Sequence, residues 1–232
     1  TESAAAALSA LAPRVVVPKP LPALCKPRVF ATSFKDGLTR VDDVAKLVER
    51  RIDPIVLGAL IADAFARLPL EHGLVHGDPH AGNVYGRWDG SVADGVQLVI
   101  LDHGLYHRLG QEERLAMCDL VLACASPWPS RSAVCKLGER FAGPLWKVLP
   151  LLLSPCFALA TPLTLTELHA AARGRLPASV TLEEVWKTLE EMHKGPSGLL
   201  GLLHSLGYVR GLLSSLGYPE ERRVKALVRA AA

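Results

Sequence analysis

Long apolar runs are missing from this sequence. The longest, Val148 to Ala160, is broken by Pro150 and Pro155 and falls short of the roughly twenty apolar residues that a membrane-spanning helix requires. No transmembrane segment is expected. Paired cysteines are missing as well: Cys25, Cys118, Cys124, Cys135 and Cys156 are odd in number, irregularly spaced and form no C-x-x-C pair. That argues against a disulfide framework and a zinc site, and for a reducing compartment. Excess charge of one sign is lacking too, since 26 basic against 23 acidic residues leave only +3. The basic footprint of a nucleic-acid-binding protein is absent, and nucleic acid is not expected as a partner. The chain opens on Thr1, and its Ala-rich start has no basic region followed by an apolar core and a cleavage site. It reads as a fragment whose targeting signal lies elsewhere.

What is present suits a globular chain, half hydrophobic and about a fifth charged, with material for one sizeable core. Residues 1–27 read as a frayed or helical lead-in followed by an extended segment, because Pro18, Pro20, Pro22 and Pro27 are too dense for a helix interior. Val15 to Val17 and Arg28 to Phe34 are β-branched or aromatic and predict a pair of short strands, closed by the Lys35-Asp36-Gly37 turn. Asp42 and Asp43 predict the start of a helix through Arg51. Pro54 suits the first turn of a second helix, whose Ile55, Ala59, Ala62 and Phe65 recur at helical spacing up to Gly73. A polar loop from His76 to Asn83, a strand from Val84 to Trp88 and an apolar strand from Val96 to Leu101 follow. Residues 111–232 read as helices: Glu112 to Ala125, Ser130 to Phe141, Thr164 to Arg173, Leu182 to His193, a Gly/Leu-rich segment, and Glu220 to Ala231. Within that part GLLHSLGY at 201–208 returns as GLLSSLGY at 211–218, too few copies and too short for a solenoid.

Chemistry concentrates in residues 28–110. His76-Gly77-Asp78-Pro79-His80-Ala81-Gly82-Asn83 is followed, after a hairpin, by Leu101-Asp102-His103-Gly104-Leu105. Phosphoryl transfer asks a protein for little covalent chemistry. It needs a divalent metal against the phosphates and a carboxylate to orient the attacking oxygen. Magnesium takes only one or two carboxylates, so a sparse Asn/Asp set is sufficient. The spacing matches the kinase loop H-R-D-x-x-x-x-N, with His76, Asp78 and Asn83 on its places. Asp102 at the end of an apolar strand takes the place of the D-F-G aspartate, with His103 where Phe stands. Taken singly, an Asp-Pro step is a common turn and His76 an ordinary buried histidine. A turn, however, has no need of a hairpin and a second acidic turn at this distance.

These motifs resemble the UbiB atypical kinases, also called aarF-domain-containing (ADCK) kinases, whose catalytic loop is similar to HxDPHPGN and whose metal turn in one branch reads LDHGLY, here 101–106. Arg28 to Gly37 is similar to the family's hinge, and Leu213 to Pro219 to a late helix motif. The resemblance implies an α+β, mainly α fold: a protein-kinase-like C-lobe with a small β hairpin at the catalytic cleft, most of the N-lobe lying outside the chain. It implies ATP and magnesium as cofactors and a link to coenzyme Q or lipid homeostasis, with lipid or quinone-pathway proteins as partners. The Asp-His-Gly-Leu-Tyr form points to a mitochondrial or plastid member. Asp78 is then the base or substrate-orienting carboxylate. His80 takes a place where kinases often put a phosphate-contacting Lys, and Asn83 and Asp102 are the magnesium ligands. Phe34 lies in the hinge beside the nucleotide, and His76 is an internal brace. Ala81 replaces the family's usual Pro, and Ser33 its usual acidic hinge residue. Two other readings remain: a pseudokinase that binds nucleotide or partner without turnover, and a small-molecule phosphotransferase of aminoglycoside-kinase type.

Overall fold

The computed structural model describes residues 1–125, 136 and 198–232. The helices expected at Ser130 to Phe141, Thr164 to Arg173 and Leu182 to His193 lie outside the described residues, position 136 aside.

The organising element is helix α3 (Pro54–His72), preceded by α1 (Glu2–Ala7) and α2 (Val44–Glu49). Its start and end are written locally. Asp53 caps the first turn by accepting from the amides of Ile55 at 2.7 Å and Val56 at 3.3 Å, with Pro54 at the first helical position. Gly73 closes the helix in the left-handed conformation that glycine adopts without strain. Between these caps Leu57, Ile61, Leu68 and Leu70 are fully buried, which makes α3 the axis of the core. Helix α4 (Gln111–Ala125) and, C-terminal to it, α5 (Gly198–Ser215) and α6 (Glu220–Ala231) pack against α3.

Six short strands complete the described architecture: β1 (Val15–Val16), β2 (Thr39–Arg40), β3 (Leu74–His76), β4 (Val84–Trp88), β5 (Val96–Ile100) and β6 (Tyr106–Arg108). One sheet has the order β1-β5-β4-β2, in which β4 and β5 form the expected hairpin from Val84↔Ile100 to Trp88↔Val96. The other pairs β3 with β6, placing His76 opposite Tyr106. The fold is thus a mixture of helices and a small sheet.

Two local expectations are corrected. Arg28 to Phe34 is not a strand and does not pair with Val15 to Val17; β1 runs parallel to β5 instead. Prolines 18, 20, 22 and 27 supply no ladder donors, so 18–34 forms a loop closed by the isolated bridges Pro20↔Thr32 and Lys26↔Val29, with Pro22–Leu24 as a 3-10 turn. Of the two aspartates expected to start α2, Asp43 does so, and the helix ends at Glu49 instead of running through Arg51. Asp43 caps it through the Lys46 amide, while both oxygens of Asp42 accept from Arg40. The repeated octapeptide has two conformations. Residues 201–208 lie within α5, whereas 211–218 run out of it through Gly217 in the left-handed region, because Pro219 follows and starts the turn into α6.

Candidate active site

Two loops carry the acidic residues: 77–83 between β3 and β4, and 101–105 between β5 and β6. Three long-range ties hold them side by side. The Leu101 amide donates to the Asn83 carbonyl at 2.9 Å, the Gly77 amide donates to the Leu105 carbonyl at 2.9 Å, and His76 Nε2 bonds the Asp102 carbonyl at 2.9 Å. A Cβ at Gly77 would stand 2.5 Å from Leu105 Cγ, so a larger residue there would have to displace that exposed side chain.

His76, 2% exposed, joins both loops through one ring. A carbonyl can only accept, so Nε2 carries the proton that goes to Asp102. Nδ1 is then the acceptor for the Asp78 amide at 3.2 Å. Burial holds the imidazole below its ordinary pKa, which favours the neutral ring, and its two hydrogen bonds set the tautomer. His76 is therefore a brace between the loops.

Asn83, 8% exposed, donates from Nδ2 to the Asp78 carbonyl at 3.0 Å, which leaves Oδ1 as the atom available to a cation. The Asp102 carboxylate is exposed, and its Oδ1 accepts the Gly104 amide at 2.8 Å, leaving Oδ2 open. Asp78 is partly exposed, its Oδ2 lying 3.6 Å from His80 Nε2, while His80 Nδ1 accepts the Gly82 amide at 2.9 Å. The structure thus ties the loops of Asp78, His80, Asn83 and Asp102 into one unit. Among the described residues no three His, Cys, Asp or Glu side chains converge on one point. The oxygen pair of Asn83 and Asp102 suits a hard cation that keeps most of its waters, such as magnesium, better than one needing a closed cage. Phe34 stands apart from these ties, 90% exposed on the 18–37 loop. Its neighbours Ser33 and Lys35 line an open cleft of about 470 Å³, with Val15, Val17 and Gln97 among the other walls.

At the second loop lies a side-chain contact that motif spacing does not reveal. His103 Nε2 bonds the Ile100 carbonyl at 2.9 Å, and its Nδ1 accepts from the Tyr106 hydroxyl, also at 2.9 Å. The two rings stack 11° from parallel, and Tyr106 lies 4.9 Å from the His76 ring. Burial lowers His103 to about 4 and raises Tyr106, so the acceptor and donor roles are those of the neutral groups. The β3–β6 pairing creates this cluster, and three-residue strands leave no periodic trace in a sequence.

Residues 1–128 match the family profile of the ABC1 atypical kinase-like domain. Similar curated proteins include a putative ABC1 protein of Arabidopsis thaliana, 37% identical over 99 residues (40% of this chain and 18% of that protein). The AarF domain-containing protein kinase 1 of Xenopus laevis is 28% identical over 202 residues, or 82% of this chain and 36% of that protein. The chloroplastic Arabidopsis protein named ACTIVITY OF BC1 COMPLEX KINASE 1 is 33% identical over 110 residues, or 47% of this chain and 15% of that protein. The chain spans little more than a third of the length of these relatives at most. The profile match covers more than half of the chain and both acidic loops, and on that ground the chain belongs to the ABC1 atypical kinase-like family, known equally by its AarF-domain kinases.

Proposed function

We propose that the chain is the base- and metal-bearing part, the C-lobe, of a magnesium- and ATP-dependent phosphotransferase or ATPase. The observation that carries this reading is the His76 bridge, which holds the backbone of Asp78 and the backbone of Asp102 from opposite nitrogens of one neutral ring. Two acidic loops of unrelated function need no such common support.

In this reading the Asp78 carboxylate accepts a hydrogen bond from the attacking hydroxyl or water and orients it. His80, 3.6 Å away, supports the negative charge and presents its own edge to the phosphates. Asn83 Oδ1 and Asp102 Oδ2 face the cation. Magnesium held there would neutralise the phosphate oxygens as charge develops. The exposed ring of Phe34, beside the cleft lined by Ser33 and Lys35, is available to stack on the base. Family membership supports the kinase class. An organellar site of action and a role in coenzyme Q or lipid homeostasis extend the same reading, and the chloroplastic relative supports the former.

The test is a pair of substitutions in the full-length protein. Asp78→Asn should lower turnover by about 10²–10⁴-fold and leave ATP affinity within a few-fold, because its contact is made chiefly in the transition state. Asp102→Asn should lower both turnover and the magnesium-dependent part of ATP affinity. Undiminished hydrolysis in Asp78→Asn removes its role as base, and nucleotide binding without hydrolysis in the unaltered protein favours the pseudokinase. Equal losses of affinity in both remove the division of roles.

A further inference from the structure

We propose that Tyr106 is a positioning residue that holds the Asp102 turn in its metal-facing form by donating its hydroxyl hydrogen bond to His103; this rests on the reading that Asp102 faces the cation.

The turn hangs from its neighbours. Asp102's own carbonyl is held by His76, and its Oδ1 is capped by the Gly104 amide. Ile100, two residues before Asp102 at the end of β5, and His103, the residue after it, are tied to each other through His103 Nε2. That tie spends one ring nitrogen and leaves Nδ1 as an acceptor pointing inward. An imidazole with an unpaired acceptor prefers water to a partly buried site, because an unmet buried polar atom forfeits its hydration. A phenylalanine at this position would stay in by apolar burial alone. A histidine stays in only if something donates to it, and the donor is Tyr106 at 2.9 Å. Tyr106 cannot drift from that task, since the β3–β6 register sets it opposite His76 and their rings lie 4.9 Å apart. One hydroxyl thus decides whether His103 remains under the turn, and with it whether Asp102 Oδ2 is presented beside Asn83.

The experiment measures magnesium affinity in the full-length protein at saturating ATP, and ATP affinity without metal, for wild type, Tyr106→Phe, Tyr106→Phe/His103→Phe and Asp102→Asn. Tyr106→Phe removes one oxygen and keeps the ring. It should weaken magnesium binding about 10–100-fold, the usual effect of losing a partner that orients a ligand, while metal-free ATP affinity stays within two-fold. The double variant, whose apolar ring needs no donor, should recover most of the loss, which a merely space-filling Tyr106 would not allow. Magnesium affinity within two-fold of wild type in Tyr106→Phe overturns the inference, as does a double variant no better than the single. If Tyr106→Phe fails to fold, a folded double variant with near wild-type magnesium affinity supports the inference and one with weakened affinity overturns it. Asp102→Asn separates the levels: if it leaves magnesium affinity intact, the metal reading itself fails and the inference with it. If it abolishes that affinity while Tyr106→Phe does not change it, only the inference fails.

Discussion

The seat of the C-terminal helices on α3 can be tested at one glycine. Gly58 is buried where Tyr218, in the turn between α5 and α6, lies across α3. A Cβ at Gly58 would stand 2.7 Å from Tyr218 Cδ2 and 2.9 Å from its Cβ and Cγ. Two effects then oppose each other in Gly58→Ala. Alanine in a helix interior is favoured over glycine by about 1 kcal/mol, while overpacking a closed contact costs about 1–3 kcal/mol. The second wins here because the struck atoms include the root of the tyrosine side chain, which cannot swing away as a side-chain end would. The Tyr218 amide is bonded to the Leu213 carbonyl at 2.9 Å, and Pro219 follows at once. The expected net loss is up to about 2 kcal/mol, read as a lower urea midpoint at unchanged m-value. In a Tyr218→Ala background, with the ring gone, the penalty should shrink by about 1 kcal/mol or more, a coupling typical of residues in contact. A Gly58→Ala chain stabilised by the full propensity increment, or two substitutions that simply add, would refute the placement of that turn on α3.

Two other outcomes follow from the same geometry. Gly82→Ala would put a Cβ 2.6 Å from His80 Cε1 and 2.9 Å from its Nδ1, turning the imidazole away from Asp78; steady-state kinetics of the full-length protein should show a fall in turnover. Cys118 and Cys124 are both buried, and burial raises their thiols, Cys124 to about 12. Peptide mapping after iodoacetamide treatment at pH 8 should therefore find both unmodified in the folded protein and labelled after denaturation.

The parts of the fold that could be read in advance are those whose boundaries are written beside them. Helix α3 is framed by Asp53-Pro54 and Gly73, and α6 begins directly after Pro219. The β4–β5 hairpin is two apolar segments around a polar turn. The strand expected at Arg28 to Phe34 failed because composition speaks for β structure only where a partner can accept the ladder, and the prolines facing that segment withhold their donors. Strands β2, β3 and β6 escaped notice for the opposite reason. They have two or three residues each, and their existence depends on partners far along the chain.

The site divides along the same line. Asp78, His80, Asn83 and Asp102 could be picked out as candidates because each loop is contiguous and carries its residues at the spacing of the kinase motifs. What joins the loops was not legible, because His76 reaches Asp102 across 26 positions, and Tyr106 gains its place from strand register and not from any local pattern. His103 shows where the two kinds of information meet. Its position in the Asp-x-Gly turn is plain from the sequence, yet a histidine there is interpretable only once its two ring nitrogens have been followed to Ile100 and Tyr106. Both bonds engage the ring, and neither involves the carboxylate next to it, so His103 shapes the turn and leaves Asp102 Oδ2 to face outward. With a polar residue in the place of the kinase phenylalanine, the proposed control of the Asp102 turn rests on one hydrogen bond and not on apolar packing. Such control is more directional than burial, and a single missing oxygen is enough to remove it.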